Sequence, residues 1–87
     1  MNEETKPTVY PEQENPARPT YEAVIRGVKI GGFLYYANND LTIIVQVQGE
    51  RVTAEEFHFE SDEERKMARI KAKNLWRTVV LAVLGGV

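Results

Sequence analysis

The stretch "LTIIVQVQGERVTAEEFHFESDEERK", Leu41 to Lys66, holds a strand, a reversal, a returning strand and the start of a helix. In its first eight residues Leu41, Ile43, Val45 and Val47 alternate with Thr42, Ile44, Gln46 and Gln48. Successive side chains on a strand point to opposite faces, so this alternation marks one buried face and one wetter face. "QGER" supplies a tight reversal at Gly49, a residue that adopts the positive φ a two-residue hairpin turn demands. "RVTAEEFHF", Arg51 to Phe59, then returns as a further strand. Its apolar residues change parity: Val52 and Ala54 occupy one phase, Phe57 and Phe59 the other. A regular strand cannot hold both pairs on one face, so a β-bulge or break is expected near Glu55-Glu56.

Downstream, Ser61 is placed to cap a helix, and Glu64 three residues later completes a capping box. Asp62 and Glu63 suit the positive end of the helix dipole, and the basic run from Lys66 to Arg77 suits the remainder. The spacing predicts a helix from about Asp62 to about Leu84, stopped by Gly85-Gly86. At 100° per residue Ala68, Ala72, Leu75, Val79 and Ala82 form an apolar stripe, with Trp76 and Val83 at its margin, and this stripe is expected to face the sheet. "TVVLAVL", Thr78 to Leu84, is also rich in β-formers, and the alternative is that it leaves the helix as a strand.

Upstream, "NND", Asn38 to Asp40, is turn material, and "FLYYA" reads as a short strand. "YEAVIRGVKI", Tyr21 to Ile30, reads as the first strand, ended by the pair Gly31-Gly32. The element order is therefore ββββα. The fold class expected is α+β: an antiparallel β-meander of three to four strands packed on one long C-terminal helix, with an extended Pro-rich N-terminal tail. All four prolines, Pro7, Pro11, Pro16 and Pro19, lie in residues 1–19, which are read as an acidic tail or arm ahead of a domain spanning 20–87. "PARP", Pro16 to Pro19, has the PxxP spacing of a polyproline ligand, and "PTVY" with Tyr10 offers a docking arm.

Eighty-seven residues allow one domain. The formal net charge is −2, and the tail supplies all of it: Glu3, Glu4, Glu12 and Glu14 outnumber Lys6 and Arg18, while residues 21–87 hold nine charges of each sign. A neutral domain is not a generic phosphate binder, because non-specific nucleic-acid affinity comes from net neutralisation of phosphates. The absence of cysteine removes disulfide and thiolate chemistry. The acidic, proline-broken start is unlike a secretory signal, and the run Val79–Leu84 is far short of the ~20 residues that span a bilayer, so the default location is cytoplasmic.

Catalytic groups are sparse. His58 is the only histidine. It sits in "EFHFE", where Glu56, His58 and Glu60 share a face of a regular strand; alternate members two apart can pair, but the outer two lie ~13 Å apart, too far for one metal. An exposed histidine between carboxylates that raise its pKa is the expected outcome. Gly27, Gly31 and Gly32 precede no helix and form no phosphate loop. No enzyme activity, cofactor or metal is expected.

Two function classes remain. The helix becomes apolar all round in its last two turns, and Met67 and Ile70 lie away from the stripe that faces the sheet. Met67, Ile70, Val80, Leu81 and Leu84 are therefore expected to bind a protein partner or drive homo-oligomerisation. The chain then reads as a non-enzymatic interaction module, of the size and make-up of a small phage or mobile-element (viral) accessory protein. The alternative is a nucleic-acid interface: Lys66, Arg69, Lys73 and Arg77 form a second helical stripe, with Trp76 as a base-stacking platform.

Overall fold

The computed structural model describes residues 18–86. It holds four strands, β1 (Tyr21–Ile25), β2 (Val28–Ala37), β3 (Asp40–Val47) and β4 (Glu50–His58), followed by one helix, α1 (Asp62–Gly86). The strands form one antiparallel sheet in the order β1-β2-β3-β4, and α1 packs on one face of it. The PTVY arm, and the first half of the PARP motif, lie outside the described residues.

All three connections are two-residue hairpins. Arg26 and Gly27 take φ of 50° and 82°, and Gln48 and Gly49 take 54° and 82°. Positive φ at both central residues twists the chain in the sense of the strands it joins. The first of these turns corrects the sequence reading, which ran one strand from Tyr21 to Ile30 and turned at Gly31-Gly32. Both glycines instead lie inside β2, where Gly31 pairs with Glu22 and Gln46, and Gly32 with Tyr21 and Val45. They are needed for close approach. A Cβ on Gly32 would stand 3.0 Å from Trp76 Cδ1, and one on Gly31 would stand 3.3 Å from Pro19 Cβ.

The helix-facing side of the sheet carries Ile30, Leu34 and Tyr36 from β2 and Leu41, Ile43 and Val45 from β3, all buried. The alternation in "LTIIVQV" thus fixes the face of β3 as expected. Burying Ile30, Leu34, Leu41, Ile43 and Val45, the largest fully buried side chains, contributes about 1.5–3 kcal/mol each. From α1, Ala68 and Ala72 are buried and Leu75, Trp76, Val79 and Val83 pack against this core. The two alanines bring the helix axis close to the sheet. Ala82, assigned to the same stripe from periodicity, is exposed, because at that height it points past the sheet towards the margin of β4.

The bulge occurs, but not at Glu55-Glu56. Val45 pairs with Thr53 and Gln46 with Arg51, so Val52 is the extra residue. Phe57 opposes Leu41 and sets the register of the rest of the strand, and the slip is absorbed next to the Gln48-Gly49 turn. Glu55 opposes Ile43 on the helix side yet remains exposed, because β4 is an edge strand that the helix leaves partly uncovered. A bulge and charged side chains on an edge also discourage pairing with another sheet.

The helix runs through Thr78–Leu84 without becoming a strand, and it continues across Gly85-Gly86 rather than stopping before them. Its N-terminus is capped much as expected. Glu64 N–H donates to Ser61 Oγ at 3.1 Å, and Glu64 Oε1 accepts from the backbone N–H of Glu60, one residue before the cap, at 2.7 Å.

Candidate functional site: the outer face of the helix

Among the described residues, four of the six exposed large hydrophobic side chains lie on the helix side turned away from the sheet. Met67 is 51% exposed, Ile70 52%, Leu81 64% and Leu84 44%. Four of the five residues predicted to contact a partner therefore lie together on this outer line. Val80, the fifth, is half-buried against the core instead, since its 3.6-residue phase carries it onto the flank beside Trp76. Asn74 and Arg77, both exposed, occupy the middle of the line between the two apolar pairs.

Along the β4 margin the outer face runs into two grooves. One, of about 470 Å³, is lined by Val47, Val52, Thr53, Val79, Ala82 and Val83 among others. Val52, the bulged residue, is 53% exposed there. The other, of about 520 Å³, lies nearer the helix N-terminus and is lined by Phe57, His58, Glu64, Met67 and Lys71 among others. The edge-strand bulge was predicted at the wrong residue, and the apolar groove it helps form was not anticipated. The change of parity between Val52-Ala54 and Phe57-Phe59 signals that a bulge exists but does not locate it.

The cationic stripe does not present itself as one surface. Arg69 is half-buried and donates to the Tyr36 hydroxyl at 3.2 Å. Lys73 Nζ lies 5.7 Å from the ring centroid of Tyr21, a cation–π distance. Lys66 and Arg77 are exposed. Trp76 is committed to the fold: its indole N–H donates to the Ile30 carbonyl at 3.2 Å, and its ring packs 5.5 Å from that of Tyr21 and against Gly32. On the opposite side of the sheet, Phe33, Tyr35 and Ile44 are half-buried, and Pro19 lies against Gly31.

His58 sits on that open side at the end of β4. Its Nδ1 lies 2.9 Å from Asp40 Oδ1, and its Nε2 bonds to Glu60. Asp40 is the cross-strand partner of His58, a contact that strand spacing alone did not reveal. Glu60 reaches the ring from just beyond the strand. The hydrogen bond to Glu60, then that to Asp40, raises the His58 pKa above its usual value, because both carboxylates favour the protonated ring. Among the described residues no group of three His, Cys, Asp or Glu side chains is placed to hold a metal ion. Among them, too, no helix is long and apolar enough to cross a membrane.

The architecture is that of a small α+β protein, a four-stranded antiparallel sheet with a single covering helix. Comparison of the chain with protein-family models, curated proteins and solved structures gave no match.

Proposed function

We propose that this chain is a non-enzymatic protein-interaction module whose contact surface is the outer face of α1. The observation that carries this reading is the alignment of Met67, Ile70, Leu81 and Leu84, each 44–64% exposed, along one side of the helix. Each still shows water about half its surface, so covering it contributes about 1 kcal/mol. Four such groups on a rigid helix give two hydrophobic patches on either side of Asn74 and Arg77, and Lys66 and Lys71 give a charged margin. The apolar groove at Val52 extends the same surface towards the edge of the sheet.

Leu81→Asp tests the reading, because Leu81 is the most exposed of the four and its loss leaves the core intact. Wild-type and variant chains, each shown to be folded by circular dichroism, are compared by light scattering and as baits for protein capture. An association of either kind, present in the wild type and lost in the variant, is the expected result. Identical behaviour of the two chains in both assays overturns it.

A further inference from the structure

The outer line of α1 has a regular spacing. Glu63, Met67, Ile70, Asn74, Arg77, Leu81 and Leu84 recur at alternating steps of four and three, which is the a/d pattern of a coiled-coil seam. Met67, Asn74 and Leu81 take the a positions, and Ile70, Arg77 and Leu84 the d positions. The six residues from Met67 to Leu84 read symmetrically about a point between Asn74 and Arg77: two apolar, two polar, two apolar. The polar pair comprises one amide and one guanidinium.

We infer that the occupant of this face is a second copy of the chain, docked antiparallel through α1 about a two-fold axis between Asn74 and Arg77; this rests on the reading of the outer face as an interaction surface. In an antiparallel pair each a position meets a d position of the other copy. Met67 then packs on Leu84 of the second copy, Ile70 on its Leu81, and Asn74 on its Arg77, whose guanidinium donates to the Asn74 amide oxygen. The two-fold repeats each contact, giving four apolar layers around two polar ones. The sheets lie outermost, because the seam is opposite the face that carries Ala68 and Ala72.

Charge selects the same arrangement. All the charges of α1 lie between Asp62 and Arg77, and residues 78–86 carry none. Antiparallel docking sets each charged half beside the uncharged half of the other copy. Lys71 falls opposite Thr78 and Lys73 opposite Val80, and the two Arg77 stand in adjacent layers, each against an Asn74 rather than against one another. Parallel docking would oppose Arg77 to Arg77 and Lys66 to Lys71, and would align the two helix dipoles unfavourably. A polar residue at one a position is a known device for fixing register and orientation, and Asn74 occupies it.

The chain has no cysteine, so introduced thiols report geometry directly. Met67→Cys and Leu84→Cys chains are mixed and treated with a short bis-maleimide, and each is treated alone. The mixture is expected to give a cross-linked dimer and each single variant only background, since the two Met67 positions lie about 26 Å apart along the antiparallel pair. Sedimentation of the full chain is expected to show a dimer that Leu81→Asp weakens by about 100-fold, the leucine being lost twice per dimer. Asn74→Asp has the opposite sign: it meets Arg77 and tightens the dimer at low salt, a gain that shrinks as salt rises. Loss of folding cannot imitate that result. Cross-linking of Met67→Cys alone as efficient as in the mixture, or weakening by Asn74→Asp, overturns the antiparallel register. A wild-type chain that stays monomeric at about 0.2 mM overturns the second copy as occupant. If such a monomer still captures another protein in a Leu81-dependent way, the interaction-surface reading stands and only this inference falls.

Discussion

Gly32 shows what a single missing side chain does for this fold. Its neighbours in the register, Tyr21 and Val45, are ordinary strand residues, and no turn requires glycine there. The requirement comes from Trp76, whose Cδ1 and Cγ would stand 3.0 and 3.2 Å from an added Cβ. Gly32→Ala should destabilise the chain by about 1–3 kcal/mol through overpacking, read as a lower melting temperature with the helix content of the folded state unchanged. The same contact explains why the glycine pair misleads a reader of the sequence. In isolation Gly-Gly punctuates, and only the tryptophan forty-four residues later turns it into a packing device. His58 was more legible, as an exposed ring between carboxylates, although the cross-strand Asp40 was hidden by sequence distance. Both ring nitrogens face carboxylate oxygens, and only the imidazolium can donate from both. The folded-state pKa is raised, so the stabilisation is fully present below the unfolded value near ~6.5 and is lost as pH rises through the folded value. Glu56, Glu64 and Lys71 line the adjoining groove, so the comparison is made against His58→Gln. The excess melting temperature of the wild type over this variant should be larger at about pH 6 than at about pH 9. An excess that does not change with pH would remove the coupling to Asp40 and Glu60.

At the scale of elements, β3 and α1 were the most legible parts because each follows one periodicity over eight or more residues. β4 follows two, and the phase change shows that a bulge exists without showing where it lies. Its position depends on which apolar pair wins the core. Phe57 and Phe59 win, with Phe59 8% exposed and edge-on to Tyr36 at 6.3 Å, while Ala54 is left on the open side. The helix start was legible to the residue because capping is a local code. Ser61 Oγ accepts the N–H of Glu64, an amide with no partner inside the helix. Ser61→Ala should cost about 1 kcal/mol, measured by denaturant unfolding as a lower midpoint with an unchanged slope. A change well below half of that would mean that water already satisfies the Glu64 amide.

For the molecule as a whole, the arrangement of one sheet and one helix covers only one side of each. The open side of the sheet keeps Phe33, Tyr35 and Ile44 half-buried, whereas the outer side of α1 exposes four large apolar residues. The all-round apolar end of the helix announced that surface in the sequence, but the seam register emerges only once the core face is fixed and the opposite phase can be read off. A folded chain that gains a second copy gains stability by mass action, because the dimer draws on the native state alone. Each tenfold rise in chain concentration then adds ~1.4 kcal/mol per dimer, or ~0.7 per chain. A domain of this size converts that into a rise of about 3 °C in melting temperature. The wild type should show this dependence wherever the dimer is fully formed, and Leu81→Asp should melt at one temperature at every concentration below its own, about 100-fold higher, dissociation constant. Unfolding and dissociation would then be one event, and the exposed leucines of the isolated chain would count as part of its core. A wild-type melting temperature independent of concentration would make the fold self-sufficient and leave the outer face for a partner that does not need to stabilise it.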